Sequence, residues 1–205
     1  MLAKADMPSL RGSEALTRLL QCLDIGTVLD IGSGSGEQAD LMRHAGLDVT
    51  TLSLEPPADV IGDYCAVKLP RQFDAIWASH VLEHQPNPGF FLRKCFADLR
   101  EDGLLAITVP PWKPQIVGGH MTAWNAGLLL YNLVVAGFDC SEARVSSVYA
   151  SGPGYPPYNI SVMVRKKAAH LPALRMDAGD IERLATFFPM PVAQGFSGEL
   201  PAINW

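Results

Sequence analysis

Two groups of residues in this chain have types and spacing that could do chemistry. The first is Asp30-Ile31-Gly32-Ser33-Gly34-Ser35-Gly36, an acidic residue followed by three glycines at alternate positions. Such a run brings a backbone turn close to something it must touch, because glycine has no Cβ and accepts positive φ. The second is the set His80, Glu83, His84 and His120. Imidazole titrates near neutrality, so each histidine could take a proton from a hydroxyl or an amine. His84 and His120 are assigned that role, and Glu83 is a further candidate base whose place in a turn also suits a structural role. The bland alternative for any one histidine is a hydrogen-bonded loop residue. Trp112, Trp124, Tyr155 and Tyr158 lie in or beside loops, where aromatic rings either wall a pocket or fill the core. Cys22, Cys65, Cys95 and Cys140 are scattered with no pair at metal-ligand spacing. No metal is expected, and the thiols read as reduced and buried.

The elements that must position these groups follow from periodicity and turn chemistry. Ser13 can cap a helix carrying Leu16, Leu19, Leu20 and Leu23 on one stripe. Gly26 breaks that pattern before a first strand, Thr27 to Ile31. A helix with Glu37, Gln38 and Asp40 in its first turns then runs to Gly46. Leu47 to Leu54 reads as a second strand, with Glu55 and Pro56-Pro57 at its end and no room for a helix before a brief third strand over Asp59 to Tyr64. Phe73 to Ala78 is a fourth strand, so Ser79 to His84 lies at the carboxyl end of the sheet, where open α/β folds bind ligands.

Asn87-Pro88 starts a helix, with Asn as cap and Pro at the first helical position. Asp102-Gly103 is read as its end, before the apolar strand Leu104 to Val109. Thr122 or Asn125 starts a further helix through Val135. Two extended stretches, Phe138 to Tyr149 and Tyr158 to Val164, are joined by a loop too short for a helix and so pair antiparallel. Asp180 can cap a last short helix. The expectation is an α/β fold: a doubly wound, mostly parallel seven-stranded sheet with an antiparallel edge hairpin and the helix after the second strand missing. Residues 1–205 are read as one domain, with 1–25 packing on the core and 168–205 as a C-terminal extension.

Composition narrows the partners. Of 205 residues, 48% are hydrophobic and 18% charged, which suits a globular chain with a substantial core. The net charge of −5 and the absence of a basic run longer than Arg165-Lys166-Lys167 disfavour nucleic acid, whose phosphates demand cations. Met1 to Leu10 lacks a signal-like apolar run, and Leu128 to Phe138 is too short to span a bilayer. A cytoplasmic location is the expectation, with neither membrane nor nucleic acid as a partner.

The glycine turn is not a dinucleotide fingerprint. Counting from Gly32, the third position is Gly34, but the sixth is Glu37 rather than glycine. No Walker-type Gly-Lys-Ser or Gly-Lys-Thr is present either. The acidic-x-Gly-x-Gly-x-Gly run resembles instead the class I S-adenosylmethionine-dependent methyltransferases of small-molecule type. The resemblance extends, in order, to Phe73-Asp-Ala-Ile-Trp-Ala-Ser-His-Val-Leu-Glu-His84, Leu99-Arg-Glu-Asp-Gly-Leu-Leu105, Gly118-Gly119-His120 and Ala136-Gly137-Phe138.

The resemblance implies that Asp30 with Gly32, Ser33, Gly34 and Gly36 holds the methionine part of S-adenosylmethionine, with Ser79 and His80 near it. It places Asp63 and Tyr64 beside the adenine. The family's ribose acid ends the second strand, where this chain has Ser53, so the role passes to Glu55 two residues later. The implied activity is methyl transfer to a hydroxyl or amine of a small-molecule acceptor, a sugar or glycan precursor among them. Trp112, Trp124 and Tyr158 would then contact that acceptor. The rival reading is a non-catalytic S-adenosylmethionine-binding sensor or assembly subunit.

Overall fold

Runs of β-branched and aliphatic residues between glycine and proline turns pair into strands because both faces of the resulting sheet can be covered. In the computed structural model, which describes residues 11–150 and 158–205, seven such runs form one sheet. They are β1 (Thr27–Ile31), β2 (Asp48–Ser53), β3 (Val60–Ile61), β4 (Phe73–Ser79), β5 (Leu99–Val109), β6 (Arg144–Val148) and β7 (Asn159–Arg165). The order is β3-β2-β1-β4-β5-β7-β6, parallel from β3 to β5, with β7 antiparallel to both its neighbours. The anticipated hairpin, Tyr155 included in its loop, has that loop largely outside the described residues.

Alternation along each strand sends neighbouring side chains to opposite cores. Val28, Ala75 and Trp77 pack under α1 (Ser13–Leu19) and α2 (Glu37–His44). Leu29, Ile76 and Ile107 pack on the other face, under α3 (Pro88–Asp98) and α4 (Ala126–Val135). Asn87 caps α3 as read from the sequence, and of the two starts read for α4 it is Asn125 that caps it; each accepts a backbone N–H three residues on (Phe90 at 3.0 Å, Leu128 at 2.8 Å). Among the described residues no helix is long and apolar enough to cross a membrane.

Several local readings change, and Leu23, read onto the stripe of the first helix, lies beyond its end at Leu19 and is exposed. Ser13 does not cap α1: Gly12, at φ 78, occupies the cap, and the Ser13 carbonyl accepts from Thr17 Oγ1. Helix α3 stops at Asp98, and Asp102-Gly103 lies inside β5 as an irregularity, with Asp102 at φ 64. The register jumps there from Phe73 opposite Leu99 to Ala75 opposite Leu104. A Cβ on Gly103 would stand 2.8 Å from the Arg100 carbonyl oxygen, so glycine is required. Strand β6 covers only Arg144–Val148; Phe138 makes an isolated bridge to Ala168 instead. Asp180 is the first residue of α5 (Asp180–Arg183) rather than its cap, and its buried carboxylate accepts from the N–H groups of Arg175 and Met176.

The segment after β7 returns to the sheet. Val145 and Ile203 exchange backbone hydrogen bonds of 2.8 and 2.9 Å, and the Trp205 ring lies 5.1 Å from the Arg18 guanidinium on α1. The missing helix between β2 and β3 is replaced by a short link. Asp59 Oδ2 accepts there from the Thr51 N–H and hydroxyl at 2.8 and 2.7 Å. The chain leaves β1 toward β2 and β3, then crosses back to β4 on the other side of β1. That reversal opens a crevice at the carboxyl ends of β1 and β4. Replacing the α3 cap, Asn87→Ala, should lower stability by about 1 kcal/mol and the melting temperature by roughly 2–4 °C. An unchanged thermal transition would remove the cap from the account.

Candidate active site

At the end of β1 the chain turns so tightly that Gly32 and Ser33 both donate to the Leu52 carbonyl of β2, at 2.7 and 3.2 Å. Gly32 sits at φ 74, and a Cβ there would stand 2.4 Å from Val81 Cγ2, so no side chain fits. Gly34 and Gly36, at φ 55 and 88, differ in that a Cβ on either meets nothing within 4 Å. Their backbone therefore faces open space. A cavity of about 390 Å³ lies beside this turn, and Gly32, Ser53, Asp63, Tyr64, His80 and His84 help to line it. A second cavity of about 570 Å³ takes in Arg11, Trp112, Lys113, His120, Tyr158 and, again, His80.

His80 is thus the wall common to both cavities. It adopts a left-handed backbone (φ 56), uncommon outside glycine, while its N–H donates to the Thr108 carbonyl at 2.9 Å. Its Nε2 lies 2.8 Å from Asn159 Oδ1 and its Nδ1 3.2 Å from Glu83 Oε1. Glu83 is buried in the one-turn 3-10 helix Leu82–His84, and its carbonyl accepts from Met121 and Thr122, fastening the loop after β5. His84 and His120 meet edge to face with ring centres 4.9 Å apart. Burial holds the His120 imidazole below its ordinary value, against the opposing pull of the Glu83 carboxylate.

Among the described residues four buried side-chain polar atoms have no hydrogen-bond partner: Asp30 Oδ2, Ser33 Oγ, His80 Nδ1 and Glu83 Oε2. All four belong to the glycine turn or to the histidine cluster. Orphaned buried groups are expensive, and native proteins keep them where a ligand completes them. Burial pushes the Asp30 carboxyl up to about 7, with Arg43 pulling the other way. A carboxyl so raised would be satisfied by a cationic group. S-adenosylmethionine carries an amino group, so Asp30, Ser33 and the open glycines fit it.

The other residues expected at the site are distributed more widely. Tyr64 borders the first cavity, but its hydroxyl turns inward to Asp98 Oδ2 at 2.8 Å, and burial raises the phenol above its usual range. Asp63 is exposed at the cavity's edge, accepting from the Cys65 N–H. Ser79 bonds Thr108 Oγ1 at 3.0 Å and lines neither cavity. Glu55 stands on the exposed turn after β2, outside the lining; Ser53 is the residue at the strand end that borders the cavity. Trp112 and Tyr158 wall the second cavity, Tyr158 donating its hydroxyl to the Pro111 carbonyl. Trp124 goes into the core instead, its indole N–H satisfied by Thr122 Oγ1 at 2.9 Å. Asn159 went unread in the sequence, although a polar residue in an otherwise apolar strand is the kind of signal that marks such a partner. Arg11 and Lys113, the cations of the second cavity, carried no sequence signal.

Sheet order, glycine turn and the crevice at the strand ends are those of the class I S-adenosylmethionine-dependent methyltransferase fold. The chain belongs to the methyltransferase-domain family, whose model matches residues 7–146. A ubiquinone biosynthesis O-methyltransferase of Xanthomonas campestris is 30% identical over 99 residues, which cover 40% of this chain and 41% of that protein. The matched stretch thus spans about two fifths of the relative's length. Among solved structures, a 1,6-didemethyltoxoflavin N1-methyltransferase of Burkholderia thailandensis, with 1,6-didemethyltoxoflavin and S-adenosylhomocysteine bound, superposes with a TM-score of 0.63. It is 23% identical, over 80% of each chain. The cyclase SpnF also shares the fold (TM-score 0.58, 19% identity, 77% of this chain and 82% of that one), so the fold alone does not fix the chemistry.

Asp30 gives this site a pH signature. Burial holds the proton on the folded chain up to about pH 7, whereas the unfolded carboxyl loses it near the ordinary aspartate value of 3.8. Stability of the free protein therefore falls as pH rises between those values, and the cost is complete above pH 7. Asp30→Asn should be more stable than the parent by about 2–4 kcal/mol at pH 8 and equal to it below about pH 4. Denaturant unfolding at both pH values checks this; the same difference at both would contradict a protonated Asp30.

Proposed function

We propose that the chain transfers a methyl group from S-adenosylmethionine to a hydroxyl or amine of a small molecule. The observation that carries the reading is the shared wall: His80 borders both the cavity beside the glycine turn and the larger one beyond it. Donor and acceptor bound in the two cavities would meet across that residue. When bound, S-adenosylmethionine supplies a methyl group on a sulfonium, whose departure as a neutral thioether needs no protonation.

What remains for the protein is positioning, which dominates an in-line displacement, and removal of the acceptor's proton. The glycine turn holds the methionine part, with Asp30 answering its amino group. Ser53, Asp63 and Tyr64 border the nucleoside end. Asn159 Oδ1 fixes the His80 ring through its Nε2. His84 and His120, stacked edge to face at the junction, assist the loss of the acceptor's proton.

The second cavity's character supports a ring-bearing acceptor. Pro110, Pro111, Trp112, Ile116 and Met121 offer flat or apolar surface, and Arg11 and Lys113 would answer an anionic substituent. A hydroxylated, partly apolar ring with an acidic group suits this lining better than a free sugar, whose many hydroxyls would find few partners. The O-methyltransferase relative supports a hydroxyl acceptor, and the N-methylating neighbour keeps an amine in the test.

The experiment is a measurement of S-adenosylhomocysteine formation with hydroxylated aromatic acids, amino-substituted rings and free sugars. Turnover with the first class and little with sugars is expected. His120→Ala should lower kcat by roughly 10²-fold while S-adenosylhomocysteine binds as before. Cofactor binding without turnover across the panel would favour a sensor.

A further inference from the structure

The histidine cluster contains an electrostatic conflict that the proton-transfer reading leaves standing. His84 Nδ1 lies 2.8 Å from the Gly119 carbonyl oxygen. A carbonyl can only accept, so Nδ1 carries the proton and a neutral ring turns a bare Nε2 toward Glu83 Oε1, 4.0 Å away. His80 does the same from the other side. Its Nε2 donates to Asn159 Oδ1, the Asn159 amide nitrogen being engaged with Ser161 Oγ at 2.7 Å. Its bare Nδ1 then stands 3.2 Å from the same Glu83 oxygen. Two imidazole lone pairs face one buried carboxylate, whose Oε2 has no partner. A proton on either ring would relieve one contact. It would leave Oε2 orphaned and would not account for His120, whose ligand atom lies within 4.8 Å of those of Glu83 and His84.

We propose that Glu83, His84 and His120 hold a divalent first-row transition cation at the junction of the two cavities. Imidazole-rich donor sets suit Zn²⁺, Fe²⁺, Co²⁺ or Ni²⁺, whereas Mg²⁺ and Ca²⁺ prefer all-oxygen sites. The Nδ1 proton of His84 on a backbone carbonyl is the arrangement that orients a metal-binding imidazole and frees its Nε2. Ligands at about 2.0–2.2 Å from a metal are roughly 3–3.5 Å apart, so the cluster must close slightly. His84 is exposed and His120 half-buried on a loop, which leaves both rings room to move. The sequence offered no metal-ligand spacing because the third ligand arrives on the loop after β5, fastened by the Glu83 carbonyl.

Three protein ligands leave positions open for acceptor oxygens. The cation's use in catalysis rests on the methyltransferase reading; its binding does not. An acceptor bearing two adjacent oxygens, a vicinal diol or a hydroxyl beside a carbonyl, would chelate it. The coordinated hydroxyl releases its proton to water, and its oxygen then forms a bond to the methyl carbon. The carbon–sulfur bond breaks with its electron pair staying on sulfur. The products are a methyl ether, S-adenosylhomocysteine and one proton, with no change of oxidation state. His84 and His120 then act through the cation rather than as free bases.

The test is titration of the untagged, chelator-treated full chain with Co²⁺ alone, followed by visible absorption. One Co²⁺ per chain is expected, with ligand-field bands of a nitrogen and oxygen site and no thiolate charge-transfer band. His120→Ala and His84→Ala, each with an unchanged circular dichroism spectrum, should bind at least roughly tenfold more weakly. No saturable binding, equal affinity in both variants, or a thiolate band from Cys22 or Cys65 would overturn the site. Titration with S-adenosylhomocysteine separates the two proposals. If it binds while Co²⁺ does not, the cation site falls and the methyltransferase reading stands. If Co²⁺ binds at the three residues but no acceptor in the panel is methylated with the cation present, the site stands and its catalytic use falls.

Discussion

A polar atom buried without a partner is a standing cost, and in this protein the described examples fall in two segments, at the carboxyl ends of β1 and β4. Asp30 Oδ2 and Ser33 Oγ belong to the glycine turn; His80 Nδ1 and Glu83 Oε2 belong to the cluster after β4. Each forfeits about 1–3 kcal/mol relative to a satisfied group, a large share of a typical domain's net stability. The surrounding structure tolerates that loss because both strands that deliver these residues are clamped centrally in the sheet, with β1 between β2 and β4 and β4 between β1 and β5. Stability is drawn from the two apolar cores on either side, and the unsatisfied groups are left for ligands.

Topology explains why the orphans meet. The chain builds outward from β1 through β2 to β3, returns past β1 to lay down β4, and so puts two strand ends side by side without a connection between them. The glycine turn leaves one end and Ser79-His80 the other. The contact between them is steric as well as polar: Val81 fills the space where a Cβ on Gly32 would lie. His80, in a left-handed conformation, then becomes the partition between a cavity bordered by the turn and one bordered by the loop after β5.

Much of this was legible in the chain itself. The apolar run before Gly32, the absence of glycine at position 37, and the ordered downstream segments sufficed for the sheet, its missing helix and its nucleoside-type donor. Local caps at Asn87 and Asn125 were equally readable, because a side-chain acceptor three residues before its N–H is a short-range interaction. What escaped depends on contacts distant in sequence. Asp102-Gly103 looks like a helix stop, yet pairing with Lys166 draws it into β5. Trp124 looks like a pocket wall, yet Thr122 offers its indole a partner inside the core. Glu55 has the right chemistry for a ribose, but two prolines and an exposed turn carry it past the cavity's edge. Glu83 was legible only as a candidate base; that its carbonyl fastens Met121 and Thr122 depends on the loop after β5, and the Asn159 that holds His80 arrives from β7.

The central claim is that the glycine turn and the cavity beside it receive S-adenosylmethionine. Calorimetric titration of the parent chain and of Gly34→Val with S-adenosylhomocysteine and with NAD tests it most directly. The account predicts one molecule of S-adenosylhomocysteine bound per chain, no binding of NAD, and loss of the sulfur ligand in a folded Gly34→Val, whose side chain enters the space left open above the turn. Binding of NAD but not of S-adenosylhomocysteine, or an unchanged affinity in the folded variant, would contradict it.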